Sequence, residues 1–193
     1  MYVRDARNRD EAWLLDRIEE MGLDETAFRS RDYVIAVEER DNERAGFGRV
    51  RIHKTDDGEV CELTSIGVLP EWRGQGVGAH VVERLVTTAR DEGFEAVYAL
   101  TGEPEYLAQF GFERIQVPQL PGKLRDRLAE KQESLAPDAV PMRVDPERFR
   151  MPARLREAFK GARAQDEEET EPEEGPEDFG IDPDEATYKY DTG

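Results

Sequence analysis

The stretch Glu62-Leu63-Thr64-Ser65-Ile66-Gly67-Val68, running through Leu69-Pro70-Glu71-Trp72 into Arg73-Gly74-Gln75-Gly76-Val77-Gly78, decides the fold. A strand ends at Val68, three alternating glycines make a turn, and a helix opens at Gly76. That helix runs to Gly93, its stop, with Val77, Val81, Val82, Leu85, Val86 and Ala89 on one side. Backbone N–H groups at a helix start lack partners, and glycines leave no side chain in the way. The result is a concave anion site strengthened by the helix dipole, into which a pyrophosphate fits. On the turn alone, a glycine-rich loop that merely permits a tight bend remains an alternative. No Gly-Lys-Ser/Thr follows, which excludes a Walker A loop, and the spacing is G-x-G-x-G rather than G-x-G-x-x-G. A dinucleotide site wants an acidic residue about 20 positions on, at the end of the next strand. Here that distance reaches Glu95 and Ala96, before the strand begins.

Upstream, Tyr2 to Ala6 reads as a short strand and Arg9 to Gly22 as an amphipathic helix, with Ala12, Leu14, Leu15, Ile18 and Met21 at helical spacing. Asp24 to Arg29 is expected to add a helical turn. Tyr33 to Glu38 and Ala45 to His53 read as strands, and Asp56-Asp57-Gly58 closes a hairpin into Val60 to Val68. Downstream, Ala96 to Leu100 is a buried strand and Pro104 to Phe110 a helix begun by proline and ended by Gly111. Phe112 to Val117 reads as a strand, Pro121 to Leu135 as a helix and Ala139 to Val144 as a last strand. Asp145 to Ala164 is a charged helix begun at Pro146 and open to interruption at Pro152. The expected organisation is a folded domain over 1–144, a helical extension over 145–164 and a disordered acidic tail over 165–193. The tail is too poor in apolar residues to offset the entropy of ordering.

The net charge of −18 is unevenly placed: residues 166–193 carry 13 acidic side chains and one lysine, a net of −12, which leaves −6 for the rest. Of the 27 basic residues only Lys54, Lys123, Lys131, Lys160 and Lys189 are lysines. Such acidic, lysine-poor composition resembles that of proteins from salt-loving archaea. An anionic surface argues against nucleic-acid and anionic-membrane partners, both of which rely on Lys and Arg to neutralise phosphate. The charged N-terminus and the lack of a long apolar run point to a cytoplasmic protein. A single cysteine, Cys61, excludes an intrachain disulfide, and with two isolated histidines it makes no zinc site, so no metal is expected.

Arg73, Gly76 and Gly78 match the Gln/Arg-x-x-Gly-x-Gly/Ala signature of the GNAT superfamily of N-acyltransferases, which this chain resembles. The likeness extends to the strand Glu62 to Val68 before the turn and to Tyr106-Leu107-Ala108-Gln109-Phe110-Gly111-Phe112 after it. That last stretch is similar to the family's Phe-Tyr-x-x-x-Gly-Phe element beside the thiol arm of CoA. The resemblance covers about Tyr2 to Arg143. It implies an α/β fold with a mixed, largely antiparallel sheet, flanked by helices, that splays open at the strand ending in Val68. It implies acetyl-CoA as co-substrate, with Ile66, Gly67 and Val68 offering backbone groups to the pantetheine and Arg73, Gly74, Gln75, Gly76, Val77, Gly78 and Ala79 holding the pyrophosphate. Tyr106 would pack against CoA.

Transfer to an amine needs the amine neutral, although an alkylammonium has a pKa of about 10. Glu62, four residues before Ile66, stands where many family members carry a glutamate that takes the proton directly or through water. The tyrosine that often protonates the leaving thiolate is replaced by Leu107, which puts a tyrosine acid in doubt. The stretches around Leu120-Pro121 and Ala136 to Met142 are similar to short amino-acid acetyltransferases, including N-acetylglutamate synthase-like members. The expected acceptor is a small-molecule primary amine, an amino acid first, by direct transfer in a ternary complex, with a homodimer left open. A protein or peptide N-acetyltransferase and a non-catalytic CoA-binding scaffold are the alternatives.

Overall fold

A computed structural model describes residues 1–165. Its strands are β1 (Tyr2–Asp5), β2 (Tyr33–Val37), β3 (Arg44–Thr55), β4 (Gly58–Val68), β5 (Val97–Thr101), β6 (Glu113–Arg114) and β7 (Val140–Val144). They form one sheet in the order β1-β2-β3-β4-β5-β7-β6, in which only β4 and β5 run parallel. This is the mixed, largely antiparallel sheet that the sequence led us to expect.

The centre of the sheet is a hairpin whose two-residue turn, Asp56-Asp57, pairs Thr55 with Gly58. A turn of fixed length fixes the register, so Arg51 stands opposite Glu62 and Arg49 opposite Thr64. Side chains on a strand alternate between faces, which places Arg49, Arg51 and His53 with Glu62 and Thr64 on one face. Gly48, Cys61 and Leu63 belong to the other. The pairing then slips: Phe47 faces Gly67 while Arg49 faces Thr64, so Gly48 stands against both Ser65 and Ile66. Ser65 takes up the extra length in the left-handed region, at φ 55°. This β-bulge bends β4. Parallel pairing to β5 covers only Cys61 to Leu63, and beyond Leu63 β4 keeps β3 alone as a neighbour while β5 continues along β7.

Helix α2 (Val77–Asp91) packs on the Gly48 face through Val77, Val81, Val82, Leu85, Val86 and Ala89, as its spacing predicts. It lies so near the sheet that a Cβ on Gly48 would stand 2.8 Å from Val81 and 2.4 Å from Ile66. The short α3 (Pro104–Ala108) and α5 (Ala153–Lys160) add Leu107 and Phe159 to the same core. On the opposite face α1 (Glu11–Glu20) buries Leu14 and Ile18 against Tyr33, Ile35, Val37 and Phe47. There α4 (Gly122–Glu133) buries Leu124 and Leu128 against Leu100, Leu120 and Ala139. The polar row on β3 and β4 lies between these two apolar clusters.

Three local expectations are corrected. Residues 24–29 form no helical turn: Ala27 sits at φ 51°, and the fully buried Arg49 donates from Nη2 to the carbonyls of Asp24 (3.1 Å) and Thr26 (2.9 Å). A tertiary cation holding carbonyls outward prevents the helical pattern. Only Glu113–Arg114 of the expected 112–117 strand pairs with β7, and a 3-10 turn at Val117–Gln119 replaces the rest, since Pro118 cannot donate to a ladder. The 145–164 helix is a 3-10 turn at Pro146–Arg148 followed, after Pro152, by α5. The expected tail lies, apart from Gln165, outside the described residues.

Close approach at Gly48 leaves no room for a side chain, and overpacking of this kind typically costs about 1–3 kcal/mol. Gly48→Val is expected to lower the melting temperature by several degrees; an unchanged melting curve would mean that α2 does not sit on β3 as described.

Candidate active site

The glycine turn is held in shape by its backbone. Gly74 and Gly76 sit at φ 74° and 77°, in the region glycine adopts without strain, and Gly76 caps α2 with no side chain. His80 N–H is the first to bond back within the helix, to Gly76 C=O at 3.1 Å. The N–H groups of Val77, Gly78 and Ala79 therefore have no backbone acceptor among the described residues and point out of the positive end of α2. This cradle suits a phosphate group. Arg73 is exposed, with its Nε bonded to Val68 C=O at 3.2 Å, which ties the turn to the end of β4. Gln75 instead pairs with the backbone of Arg163.

Beside the turn, Ile66, Gly67 and Val68 occupy the part of β4 that has left β5, so the strand edge there is open. Tyr106 lies across this opening: a Cβ on Gly78 would meet its hydroxyl at 2.6 Å, and its ring stands edge-on to Phe110. Burial, with Glu103 adding to it, pushes the Tyr106 hydroxyl up to about 12. A hydroxyl that reluctant to ionise is a poor proton donor to a thiolate, whose conjugate acid is near 8.5 in an unperturbed cysteine. Leu107 points into the core. The turn, the open strand edge and Tyr106 thus converge on one groove.

On the other face of the sheet, Glu62 is fully buried and its carboxylate has three cationic or polar neighbours. Oε1 accepts from Arg127 Nε at 2.7 Å and lies 2.9 Å from His53 Nε2; Oε2 accepts from Arg127 Nη2 at 3.2 Å and lies 3.7 Å from Lys131 Nζ. Arg127 also donates to Asp24 Oδ2 at 2.7 Å, which links α4 to the 24–29 loop. Burial alone would raise the pKa of Glu62, but His53, Arg127 and Lys131 outweigh it and hold the group at about 2. It is an anion near neutral pH with no exposed oxygen, so taking up a proton requires Arg127 to give way.

Beside this network lies a cleft of about 980 Å³ between the end of the β3–β4 hairpin and α4, lined among others by Thr26, Arg51, Lys54, Lys123 and Arg127 and by the carboxylates Asp56, Asp57, Asp126 and Glu130. Arg51 is the unsatisfied group in it. Its Nη1 is buried with no hydrogen-bond partner among the described residues. Burial lowers the pKa of the guanidinium, as do the neighbouring Arg127 and Arg49. Around the buried carboxylates of Glu62 and Asp24 stand Arg49, Arg51, Arg127 and Lys131, so cations outnumber anions at the buried end, while the exposed Asp56, Asp57, Asp126 and Glu130 line the rest of the cleft.

The sequence reading located Glu62 and the turn but missed Arg51, Arg127, Asp24 and Lys131, and it drew no signal from His53. Counting back from the Asp56-Asp57 turn would have placed Arg49, Arg51 and His53 beside Glu62. No local pattern marks Arg127, which arrives from a helix 65 residues later. Cys61 is buried, with its thiol pushed up to about 12 chiefly by burial, and is inert as a nucleophile.

Comparison with known proteins bears on the fold and the family. The chain is 31% identical over 83 residues to an amino-acid acetyltransferase of Mycobacterium tuberculosis, covering 43% of this chain and 46% of that one. It is 32% identical over 127 residues to an amino-acid acetyltransferase of Pseudomonas fluorescens, covering 62% and 29%. It thus spans less than half the length of these curated relatives. Among solved structures, N-acetylglutamate synthase from Neisseria gonorrhoeae, complexed with coenzyme A and N-acetyl-glutamate, superposes with a TM-score of 0.61 at 18% identity, covering 74% of this chain and 34% of that one. Rv2747 from Mycobacterium tuberculosis, in complex with CoA, superposes with a TM-score of 0.60 at 20% identity, covering 75% and 99%. These likenesses show the fold. The model of the acetyltransferase (GNAT) family matches residues 2–113, more than half of the chain, and the chain belongs to that family.

Proposed function

We propose that this protein transfers the acetyl group of acetyl-CoA to the amine of a small amino acid, directly and within a ternary complex. Family membership supports the reaction, and two curated relatives bear the name amino-acid acetyltransferase. The observation that carries the acceptor class is Arg51, whose buried Nη1 has no partner among the described residues and stands near Arg127 and Arg49. An unmade bond at a buried donor costs about 1–3 kcal/mol, which a carboxylate would relieve. An amine without a carboxylate would leave that donor unpaired.

The cofactor's contribution is an activated acyl thioester. For the rest, the free N–H groups of Val77, Gly78 and Ala79 hold the pyrophosphate, with Arg73, Gly74, Gln75 and Gly76 shaping the turn. The open edge of Ile66 to Val68 pairs with the pantetheine as an added strand would, and Tyr106 closes over it. The acceptor's carboxylate engages Arg51 and draws on Arg127. As those cations are neutralised, the proton affinity of Glu62 rises, and Glu62 takes the ammonium proton through water. With Tyr106 a weak acid and Leu107 in the core, the carbon–sulfur bond breaks with CoA leaving as thiolate, and the second proton of the attacking nitrogen passes to that thiolate through water. Residues 1–144 form the catalytic body and 145–164 an extension that serves it. The acidic, lysine-poor composition fits a salt-adapted cytoplasmic protein, and a homodimer is compatible with this reading.

Arg51→Met is expected to raise KM for the amino-acid acceptor by about 10- to 100-fold, the loss of one charge-assisted contact, while KM for acetyl-CoA stays within twofold. Equal acceptor KM in wild type and variant would remove Arg51 from acceptor binding. Glu62→Gln keeps the size of the side chain but removes its basicity, so kcat should fall by about 10²- to 10⁴-fold near neutral pH. Raising the pH should restore part of that, because more acceptor arrives already neutral. Wild-type turnover with an unshifted acidic limb would take Glu62 out of the mechanism.

A further inference from the structure

In a chain of net charge −18, residues 148–163 carry six cations, Arg148, Arg150, Arg154, Arg156, Lys160 and Arg163, against a single carboxylate, Glu157. This basic stretch is docked on the glycine turn. The carbonyl of Leu155 lies so close to Gly76 that a Cβ there would collide with it. Phe159 stacks on His80 at 3.8 Å with planes 8° apart. The side chain of Gln75 donates to Arg163 C=O at 2.7 Å and accepts from Arg163 N–H at 3.0 Å. Nearer β7, Phe149 stacks on Phe110, and Arg150 N–H donates to Phe110 C=O at 2.9 Å.

Most of these docking contacts are made by backbone, aromatic and amide groups, so the guanidinium of Arg163 is not needed to hold the segment in place. Arg156 is committed to Glu83 at 2.7 Å and Lys160 to Glu157 at 3.0 Å. Arg154 reaches only the neutral side-chain oxygen of Gln109, at 2.9 Å, and neither it nor Arg163 has an acidic partner among the described residues. Both adjoin the turn. Arg154 precedes Leu155 at Gly76 and spans to α3, three residues from the Tyr106 whose hydroxyl lies over Gly78. Arg163 is fixed to Gln75. Two arginines without an acidic partner among the described residues, both borne by backbone that touches the glycine turn, bring positive charge to the phosphate cradle beyond that of its own N–H groups.

We propose that Arg154 and Arg163 form a second anion site that binds the 3′-phosphate on the adenosine end of CoA, so that the C-terminal segment completes the cofactor site. This rests on the acetyl-CoA reading above, with the turn taking the pyrophosphate. The 3′-phosphate is the group that distinguishes CoA from dephospho-CoA, and a guanidinium matches its geometry.

The test is calorimetric titration of the full chain with CoA and with dephospho-CoA, for wild type and for the Arg154→Gln/Arg163→Gln double variant, whose melting temperature is measured alongside. Wild type is expected to bind CoA about five- to tenfold more tightly than dephospho-CoA, the scale of two partly exposed charge contacts. The double variant should lose that preference while its affinity for dephospho-CoA is unchanged. Equal wild-type affinities for the two ligands would overturn the proposal and leave the cofactor reading standing. So would a preference retained in the variant, or an equal loss of both affinities, which would mark the arginines as structural. Binding of neither ligand by wild type would overturn both.

Discussion

One extra residue in β4 sets two residues against Gly48, and the strand absorbs it by turning Ser65 into the left-handed region, with the Ser65 hydroxyl anchored to Asp24 C=O at 2.6 Å. Left-handed backbone at a non-glycine residue is uncommon and is held here by surrounding contacts. The bend has consequences on both faces. Toward α2, it carries Ile66 to Val68 away from β5 and opens a strand edge next to the glycine turn. Toward α1 and α4, it ends the polar row of Glu62 and Thr64 at the place where the 24–29 loop packs. Without the bulge β4 would be free to continue beside β5 in regular pairing, and the open strand edge beside the glycine turn would be lost.

The cleft floor shows how buried charge can be tolerated. Glu62 and Asp24 share Arg127, and Arg49 donates from its Nη groups to loop carbonyls rather than to a carboxylate. Removing one member of such a network leaves its partners uncompensated in a low-dielectric setting. The same network keeps four cations near two carboxylates and leaves Arg51 short of a partner. Positive charge that the protein does not neutralise internally is what an acceptor carboxylate can use, so the structural role of the network and its proposed role in recognition have one electrostatic origin.

Legibility from sequence followed the range of the interactions. The strand, glycine turn and α2 are specified by neighbours within a few residues, and their alternation, glycine spacing and helical period could be read directly. The hairpin register was also local, being set by Asp56-Asp57, although its consequence for Arg51 and His53 was not drawn. The 24–29 segment has helix-compatible residues, but its conformation is imposed by Arg49 from β3, beyond the reach of any local pattern. Likewise, Arg127 becomes part of the site only when α4 crosses the sheet, and the basic stretch after Pro146 acquires a role only by docking on Gly76 and His80. Tertiary contacts between distant segments, rather than weak local signals, account for what the sequence left out.

The account stands or falls on whether the cleft selects a carboxylate-bearing amine for acetylation. The most direct measurement is thiol release from acetyl-CoA by the purified protein, comparing each of a panel of amino acids with the amine that lacks its α-carboxylate, at fixed pH and salt. At least one amino acid should turn over with a kcat/KM tens of times that of its decarboxylated counterpart, about 2 kcal/mol of discrimination on the usual scale of roughly 1.4 kcal/mol per factor of ten. Equal rates for the two members of every pair, or thiol release only with peptides, would contradict it.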